Sequence, residues 1–560
     1  MPKDQEGVFM ILGIDIGGTH TDAVCLSGRD ILSTAKTPTG KDLVGSIMEA
    51  LGSLGIKYSG VKRVVLSTTL STNAIVEKKY AKTGMIVSAG PGIYPGHYFL
   101  TDSFHLVQGA IDHRGREYVP VDQQEVLRAS RHMKGSGIEG VGIVSKFSVR
   151  NPAHESFIAS LVKDDFPFVC QGHTMSGSLN FPRRINTTYF NVAVMPVQER
   201  FVLAVQKALA HLGVNAPLFF LKADGGTYAS PAANRLPVET ILSGPAASMM
   251  GALALTEKPE GTALVLDVGG TTTDIGILLD GIPILEPKGV DIDGRKTLVR
   301  GLKVVSVGAG GDSCVWEQDG ELRVGPARSG PPACMGGVVP TPMDVFAVRG
   351  EFEGGDAGKS IDALSPLGDH LGMDIPRLNS EIISTIVENI RKAAKEFVDE
   401  VNSHPVYTIH EMLHPDIVQP QRVILIGGPA RLLKPYIEAS LNMECEVPEH
   451  AMVANALGAA LARTTAQITL VADTQLRRIV CPELHMEKEA EQTLSMDELK
   501  AFGFAAIREN ASLLGLSDNA EFSVIEEQSF NMVRGFSTVG KNMRVKIQTR
   551  PGILHEWSGK

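Results

Sequence analysis

Residues 265–278 read Val-Leu-Asp-Val-Gly-Gly-Thr-Thr-Thr-Asp-Ile-Gly-Ile-Leu, and this stretch decides the fold. An apolar, β-branched run enters a Gly-Gly-Thr turn and a second apolar run leaves it, which predicts a strand, a tight turn and a returning strand. Gly269 and Gly270 have no Cβ, so backbone N–H groups can approach an anion closely, while Thr271 and Thr273 add hydroxyl groups. The turn therefore has the size and chemistry of a phosphate site.

An aspartate stands on each side of this turn. Asp267 precedes it on the incoming strand and Asp274 follows it on the outgoing strand. Carboxylates in these positions suit a hydrated Mg2+ that bridges phosphate oxygens. A single turn of this kind is a weak signal, because a Gly-Gly turn can also be purely structural.

The same pattern occurs earlier, at residues 14–26, which read Ile-Asp-Ile-Gly-Gly-Thr-His-Thr-Asp-Ala-Val-Cys-Leu. In an alignment without gaps, the residues of the second copy are repeated in order by those of the first: Asp15, Gly17, Gly18, Thr19, Thr21, Asp22 and Leu26 match Asp267, Gly269, Gly270, Thr271, Thr273, Asp274 and Leu278. Two copies about 250 residues apart are too distant for a solenoid. They predict two homologous lobes, each presenting one phosphate hairpin to a shared cleft.

Composition and charge exclude several classes of protein. At 560 residues, with 43% hydrophobic and 21% charged residues, the chain can bury sizeable cores and should form about two to four domains. A formal net charge of −10, without any Lys/Arg-rich block with interleaved aromatics, argues against a nucleic-acid surface. The six cysteines are scattered with no Cys-x-x-Cys pair, so neither a disulfide framework nor a structural zinc site is indicated.

The amino-terminal residues lack the basic and apolar regions of a signal peptide, and no run of about 18 or more apolar residues occurs. We therefore expect no export and no membrane span. Together with the scattered cysteines, this favours the reducing cytoplasm as the compartment.

Changes in pattern along the chain indicate its domains. We expect an N-terminal lobe at 1–190 with an inserted loop-rich segment at about 81–122, a second lobe at 191–464, and a small α+β domain at 465–560. Glycine and proline punctuation marks the inserted segment. Residues 455–462, Asn-Ala-Leu-Gly-Ala-Ala-Leu-Ala, predict a helix of small residues that can cross another helix closely, which suits a hinge between the lobes.

Two further glycine turns follow predicted strands. Gly310, Gly311 and Asp312 belong to a turn that either approaches phosphate or ribose or is a simple bend. Gly427 and Gly428 end another strand, where a flat adenine could lie against bare backbone.

Two polar segments that precede helices have two interpretations each. A hydroxyl-rich turn either caps the following helix or places Thr68, Thr69 and Asn73 in the cleft. The pair Arg183 and Arg184 either begins a solvated helix or meets an anionic substrate.

The ordered set of two Asp-x-Gly-Gly-Thr-x-Thr-Asp hairpins, the Ile-Gly-Gly turn and the Ala-Leu-Gly-Ala-Ala helix resembles the actin, sugar kinase and Hsp70 ATPase superfamily. Within it the chain is similar to the hydantoinase/oxoprolinase A family, which includes 5-oxoprolinase, N-methylhydantoinase and carboxylase subunits for ketones. The motifs that carry this resemblance span nearly the whole chain, at residues 13–22, 67–74, 151–155, 243–247, 308–311 and 324–326.

The resemblance implies a fold and a set of sites. The fold is α/β, with two duplicated actin-like (ribonuclease H-like) ATPase lobes around a nucleotide cleft, an inserted segment and a small C-terminal α+β appendage. Asp15 and Asp267 are implied to organise Mg2+ or Mn2+, and Gly427 with Gly428 forms the adenosine turn of bound ATP. The implied phosphate cradle consists of Gly17, Gly18, Thr19, Thr21, Gly269, Gly270, Thr271, Thr272 and Thr273.

The implied chemistry is ATP-dependent activation of a cyclic amide, such as a hydantoin or 5-oxoproline, or of a ketone, by phosphorylation of its oxygen. A small-molecule kinase and a nucleotide-switched activator or binding ATPase are the alternative functions. Asp22, Asp274 and Asp312 are candidates for the general base, or they support their hairpins. The family often works with a separate B-type subunit, and both such a partner and a homo-oligomer are left open.

The sequence departs from the family pattern in one place near the cleft. The family usually has His-Gly before the Thr-Thr turn, where this chain has Leu66 and Ser67. A contact from that histidine is therefore not expected here.

Overall fold

A computed structural model describes residues 9–28, 30–256, 260–286, 288–403, 417–514, 516, 520–549 and 552–554. The first elements along the chain are β1 (Met10–Ile16), β2 (His20–Ser27), β3 (Asp30–Pro38), α1 (Leu43–Ser53), β4 (Val61–Thr68) and α2 (Leu70–Val76). The inserted region then supplies β5 (Thr83–Ser88), β6 (Phe104–Leu106), β7 (Ala110–Ile111), β8 (Glu117–Val119), α3 (Gln123–Gly135), β9 (Gly140–Ser145), α4 (Ala153–Val162) and β10 (Phe168–Gln171).

The chain then completes the first lobe and enters the second. The elements that complete the first lobe and lead out of it are α5 (Phe181–His211), β11 (Leu218–Leu221), β12 (Thr227–Ala229), α6 (Ser230–Arg235) and α7 (Ser243–Leu255). The strands of the second lobe begin with β13 (Thr262–Val268), β14 (Thr273–Leu279), β15 (Ile282–Pro283), β16 (Asp291–Ile292), β17 (Arg295–Lys296), β18 (Val304–Val307), β19 (Val315–Gln318) and β20 (Glu321–Val324).

Helices dominate the rest of the second lobe, and a mixed region ends the chain. The second lobe ends with α8 (Pro342–Val348), α9 (Ala357–Leu371), α10 (Ile375–Asn402), β21 (Arg422–Ile426), α11 (Ala430–Leu441), β22 (Glu444–Glu446) and α12 (Ala454–Leu461). The C-terminal region comprises β23 (Gln467–Asp473), β24 (Arg478–Cys481), β25 (Met486–Glu489), α13 (Met496–Glu509), α14 (Ala511–Leu514), β26 (Phe522–Arg534) and β27 (Ser537–Thr549).

The two lobes contain sheets of the same order. In the first lobe the order is β12-β11-β4-β1-β2-β3, and in the second it is β15-β14-β13-β21-β22, with β18 also paired to β14. In each sheet the central strand is antiparallel to the strand that follows it and parallel to a strand from later in the chain. The register of the two hairpins is also the same, because Asp15 pairs with Asp22 and Asp267 pairs with Asp274. The predicted duplication of an actin-like (ribonuclease H-like) lobe is confirmed.

Helices cover these sheets because the strands are apolar on both faces. Strand β1 is buried from Ile11 to Ile16, so it needs a helix layer on each side. In the first lobe, side chains of α1 and α5 form one core with the sheet. In the second, α10 packs its apolar stripe, which includes Ile382, Ile386 and Ile390, into the largest core of the molecule.

Helices α7 and α12 cross between the lobes at unusually close range. A Cβ at Gly251 would lie 2.2 Å from the carbonyl oxygen of Ala454, and one at Gly458 would lie 2.3 Å from that of Ala247. Helix α12 also packs against β1, where a Cβ at Gly13 would lie 2.2 Å from the carbonyl oxygen of Ala456. The small residues predicted at 455–462 therefore do bring two helices together, and they do so where the lobes join.

The inserted region has its own parallel sheet, in the order β10-β9-β5-β6, with α3, α4 and α5 against it. The predicted loop-rich segment at 81–122 supplies β5 to β8, and β9 and β10 complete the sheet. The C-terminal region is an antiparallel sheet in the order β25-β24-β23-β27-β26, covered on one face by α13. Among the described residues, none of the helices has both the length and the apolar character that crossing a membrane requires.

Candidate active site

The two phosphate-type hairpins are built in the same way. The N–H of Gly17 donates to the carbonyl of His20 at 3.0 Å, and the N–H of Gly269 donates to that of Thr272 at 2.9 Å. Each bond closes a turn of four residues between two buried strands. The tips of both turns remain accessible, since His20 and Thr272 are exposed. The repeated sequence therefore gives two turns of the same shape.

Charged groups of the first hairpin and of the second lobe influence one another's pKa values. Burial, together with the charges of Asp22 and of Asp267 in the other lobe, raises the pKa of Asp15 to about 7. Although the side chain of His20 is exposed, partial desolvation by its neighbours lowers its pKa, as does the charge of Lys36, and the pKa also responds to Asp312 and Arg328 of the second lobe. Charged groups of the first hairpin are therefore close enough to groups of the second lobe for their charges to act on one another.

The carboxylate of Asp267 is held by the two crossing helices. Its Oδ2 accepts hydrogen bonds from Ser248 Oγ of α7 at 2.5 Å and from Asn455 Nδ2 of α12 at 3.2 Å. Ser67, which stands where the family usually has glycine, lowers the pKa of Asp15, and its Oγ donates to the carbonyl of Ser243 at 3.4 Å. The carboxylate of Asp267 is thus fixed by neutral donors rather than by cations. Neutral donors leave the negative charge available to a metal ion or to phosphate-bound magnesium.

The second aspartate of each hairpin has a different partner in each lobe. Lys36 Nζ lies 2.8 Å from both carboxylate oxygens of Asp22 and also donates to the carbonyl of Met452 at 3.1 Å. Asp274 instead lies opposite Ser306, which donates a hydrogen bond to it. Burial raises the pKa of Asp274 to about 7, with a further contribution from the charge of Asp267. Asp22 is therefore part of an ion pair, whereas Asp274 is a half-buried acid without a cation beside it among the described residues.

The glycine turn at 308–313 packs directly under the second hairpin. The N–H groups of Gly311 and Asp312 donate to the carbonyls of Gly269 and Gly270, at 3.0 and 2.6 Å. A Cβ at Gly310 would lie 2.6 Å from the backbone of Gly270. The turn thus supports the hairpin through its backbone. The side chain of Asp312 in this turn pairs with Arg328 at 3.2 Å.

Two of the threonines have their hydroxyl groups turned into the protein. Thr273 Oγ1 donates to the carbonyl of Ala309 at 2.6 Å, and Thr21 Oγ1 lies 2.9 Å from Thr39 Oγ1. Both residues are fully buried. Thr21 and Thr273 occupy equivalent positions, and each therefore supports the hairpin of its own lobe. The more exposed threonines are Thr19, Thr271 and Thr272.

The turn predicted to meet adenosine lies beside the second hairpin. Gly427 has a φ of +97°, and a Cβ there would lie 2.2 Å from the carbonyl oxygen of Val268 and 2.7 Å from Asp267 Oδ1. Glycine is therefore required at this position. A Cβ at Gly428 would meet no atom within 4 Å, so the space beside it is open.

The polar segments with two interpretations are largely structural. Thr68 Oγ1 accepts from the N–H of Leu70 at 3.1 Å, so it caps the start of α2, and Thr69 Oγ1 donates to the carbonyl of Ile16 at 3.3 Å. Arg184 is fully buried and donates to backbone carbonyls of the inserted region. Arg183 donates to the carbonyls of Lys288, Gly289 and Thr297. Neither arginine is free to meet an anionic substrate.

Sequence reasoning missed Lys36, Ser248, Asn455 and Arg328, although all four touch the aspartates of the site. Lys36 had one signal that could have found it, because it lies opposite Asp22 on the third strand of the same meander. The other three come from distant segments. Their contacts depend on how helices and loops fold over the hairpins.

Among the described residues, no group of three or more histidine, cysteine, aspartate or glutamate side chains is arranged to hold a metal ion. Asp15 and Asp267 therefore form a pair of carboxylates rather than a complete metal cage. This arrangement fits Mg2+, which usually keeps several waters and binds through one or two carboxylates and the substrate phosphates.

Comparisons with known proteins agree with this geometry. The family model described as "Hydantoinase/oxoprolinase" matches residues 184–468, and that described as "Hydantoinase/oxoprolinase N-terminal region" matches residues 11–166. Each matched region contains one of the hairpins.

Two curated relatives illustrate the range of proteins that the chain resembles. The caprolactamase subunit alpha of Pseudomonas jessenii is 27% identical over 439 residues, which are 69% of this chain and 63% of the relative. The acetophenone carboxylase gamma subunit of Aromatoleum aromaticum is 24% identical over 70% of this chain and 62% of the relative. The chain thus spans less than two thirds of the length of these relatives.

Solved structures share the fold over almost the whole chain. A nucleotide-free acetone carboxylase structure superposes with a TM-score of 0.73 at 18% identity, covering 99% of this chain and 88% of that one. The ATP-dependent caprolactamase from Pseudomonas jessenii gives a TM-score of 0.70 at 19% identity, covering 98% and 88%. With its duplicated hairpins inside the two matched regions, the chain belongs to the hydantoinase/oxoprolinase family.

Proposed function

We propose that the protein binds ATP between the two hairpins and uses it to phosphorylate the oxygen of a cyclic amide or a ketone, as an ATP-dependent amidohydrolase or carboxylase subunit. The observation that carries this proposal is the pair formed by Asp15 and Asp267. They are equivalent residues of duplicated hairpins, and their charges interact across the two lobes. In this proposal the two hairpins border one nucleotide site, and one such carboxylate on each side of it would suit a triphosphate and its metal ion.

The chemistry of an amide explains why ATP would be needed. An amide carbonyl is a poor electrophile, and phosphorylation of its oxygen turns that oxygen into a leaving group. The protein's part in such a transfer is mainly to position the reacting groups and to neutralise charge. Backbone N–H groups of the two glycine turns would bind phosphate oxygens, and the open space at Gly428 would accept the adenosine.

Asp15 and Asp267 would hold Mg2+, which supplies neutralisation of the phosphate charge when bound. Ser248 and Asn455 keep the carboxylate of Asp267 oriented. Asp274 is our candidate for the group that accepts a proton from the attacking oxygen. Its pKa of about 7 suits a base that operates near neutral pH, whereas Asp22 is engaged by Lys36.

The names of the relatives support the substrate class. They include a caprolactamase subunit, an acetophenone carboxylase subunit and an acetone carboxylase subunit. Caprolactam is a cyclic amide and the other two compounds are ketones. Because these relatives are named as subunits, we also propose that the complete reaction requires a separate partner chain.

The test is a screen for substrate-stimulated ATP hydrolysis by the full chain. The compounds are hydantoins, 5-oxoproline, other lactams, and ketones with bicarbonate, each tested with Mg2+ and with Mn2+. A compound that raises ATP turnover supports the proposal. Asp15→Asn and Asp267→Asn should each lower the stimulated rate by about 100-fold or more, since each removes a charge that stabilises the transition state.

The matched control is Asp319→Asn, which makes the same substitution in an exposed hairpin turn of the second lobe. It should leave the stimulated rate unchanged. A stable phosphoester in the product pool would instead indicate a small-molecule kinase. Turnover raised by a protein but by none of the compounds would indicate a nucleotide-switched activator.

A further inference from the structure

A cavity of about 190 Å³ lies between the inserted region and the C-terminal sheet, away from the hairpin residues. Val149, Arg150 and Leu179 contribute to one wall, and Val471, Asn542 and Arg544 contribute to the other. The first three belong to loops after β9 and before α5. The other three lie on β23 and β27.

The alternation of side chains along β23 and β27 explains why Val471, Asn542 and Arg544 form the second wall of the cavity. Leu470 and Ile547 point to α13, because a Cβ at Gly503 of that helix would lie 2.4 and 2.5 Å from their side chains. Successive residues of a strand face opposite sides of a sheet. Val471, which pairs with Arg544, therefore points away from α13 toward the inserted region. The sheet buries one face against its own helix and offers the other to the cavity.

Arg150 has no partner in this cavity. Its guanidinium makes no ion pair or hydrogen bond with any other residue that the structure describes, and its Nε is buried without a partner. Arg544 Nε is likewise buried and unpaired. Burial, together with the positive charges of Arg544 and Arg114, lowers the pKa of Arg150. The arginines thus repel one another at a site that excludes much of the solvent.

The neighbouring carboxylates are already occupied by other groups. Asp473 accepts from Arg114 at 3.4 Å and from the N–H of Gln475 at 3.0 Å. Glu526 is shared by Arg544 at 3.4 Å and Lys546 at 3.1 Å.

Asp112, the other acid that acts on Arg150, is bound to Arg116 at 2.9 Å. No carboxylate among the described residues lies within ion-pair distance of Arg150. The site therefore keeps an excess of positive charge.

Arg150 is half-buried, and leaving its buried Nε without a partner is costly, while the planar array of guanidinium N–H groups matches a carboxylate in a bidentate geometry. The cavity is smaller than the roughly 300–1,000 Å³ of pockets that hold drug-sized ligands, so only a small molecule fits. Val149, Leu179 and Val471 give it an apolar side. We propose that this cavity binds a small organic carboxylate, with Arg150 and Arg544 on the carboxylate and the apolar side chains on a short hydrocarbon body. This site does not depend on the proposed ATP chemistry.

Calorimetric titration of the full chain tests the proposal, with pentanoate as the probe. Pentanoate should bind to the wild type, and 1-pentanol, which has the same hydrocarbon body without a charge, should not. Arg150→Gln should weaken pentanoate binding by about ten-fold or more, because it removes a charge-assisted pair of hydrogen bonds. The control Arg323→Gln removes the same charge from an exposed ion pair on β20 and should bind pentanoate as the wild type does.

Two further measurements distinguish a loss of pentanoate binding from a failure of Arg150→Gln to fold. Its thermal unfolding midpoint without ligand should equal or exceed that of the wild type, because the substitution relieves repulsion among the arginines. Arg150→Lys keeps the charge but loses the planar geometry, and it should bind pentanoate more weakly than the wild type.

Three results would overturn the proposal. The first is equal pentanoate binding by the wild type and both Arg150 variants. The second is binding of 1-pentanol as tight as that of pentanoate. The third is tighter binding of inorganic phosphate than of pentanoate, lost in Arg150→Gln, which would identify a phosphate site instead of a carboxylate site.

Discussion

The two hairpins share their sequence, their register and their turn geometry, but the group facing the second aspartate differs. In the first lobe Asp22 is paired with Lys36, and in the second Asp274 faces Ser306. The turns also differ in their surroundings, since Gly18 has open space beside it while a Cβ at Gly270 would lie 2.6 Å from Asp312. Duplication of a motif therefore conserves its backbone and leaves its electrostatics to the neighbouring strands.

This difference suggests a division of labour. The ion pair in the first lobe fixes a charged carboxylate behind an open turn, which suits binding. The acid in the second lobe has a pKa of about 7, so it can gain or lose a proton near neutral pH. Three sets of experiments can test whether the two lobes differ in this way.

The largest expected effect is the pH dependence of stability due to Asp274. Its pKa in the folded protein is about 7, against an ordinary value of 3.8, so the folded protein holds this proton more tightly than the unfolded chain does. Stability from this group is therefore fully present below about pH 4 and is lost as the pH rises toward 7, by up to about 4 kcal/mol. Asp274→Asn cannot ionise, so it should unfold at a higher temperature than the wild type at pH 8 and at a similar temperature at pH 4.

Thermal unfolding without nucleotide at several pH values measures this effect. Asp319→Asn is the control, because that residue lies in an exposed turn and should show no such trend. Asp22→Asn should behave differently, since it leaves Lys36 without its carboxylate. A difference between the wild type and Asp274→Asn that stays constant from pH 4 to pH 8 would contradict the contrast.

A smaller effect is expected from removal of the partners themselves. Lys36→Met leaves the carboxylate of Asp22 buried and unpaired, and should lower the free energy of unfolding by about 2–3 kcal/mol. Ser306→Ala removes one hydrogen bond from Asp274 and should cost about 1 kcal/mol. The double variant Lys36→Met, Asp22→Asn should recover part of the loss. Equal costs for the two single variants would show that the two lobes are electrostatically alike.

The smallest effects on stability concern the turn glycines. Gly18→Ala should change the free energy of unfolding by less than about 0.5 kcal/mol, because a Cβ there meets no atom within 4 Å. It should nevertheless weaken ATP binding, since the methyl group occupies the space proposed for phosphate. Gly270→Ala crowds the carboxylate of Asp312 and should cost about 1 kcal/mol. Titration with ATP and denaturant unfolding measure the two quantities, and unchanged ATP affinity in Gly18→Ala would argue against a phosphate at that turn.

Much of the fold could be predicted from the sequence because hairpins and amphipathic helices depend on local patterns. The repeated Gly-Gly-Thr turns fixed both hairpins, and the small residues at 455–462 indicated a close helix crossing, which Gly458 makes with Ala247. The partners of Asp267 could not be predicted. Ser248 and Asn455 lie 19 and 188 residues away in the chain, on helices whose positions depend on packing.

The arginines show the same limit of prediction from sequence. Arg183 and Arg184 attract attention as a pair in the sequence, yet both are used by backbone carbonyls. Arg150 has no local signal, and it becomes a candidate ligand-binding residue only because the C-terminal sheet closes over it. Whether an arginine side chain is free to bind a ligand depends on the groups that the rest of the molecule places beside that side chain.

The sequence by itself determined the duplicated lobes, the register of the hairpins and the family, because strand and turn preferences act between residues that are close in the chain. Folding in three dimensions determined which carboxylate is paired, which has no cation beside it among the described residues, and where an unpaired arginine lines a cavity. The physical reason is that charge and burial depend on distances in space. Those distances are set by packing between segments that can lie far apart in the chain, as Asp267 and Asn455 do.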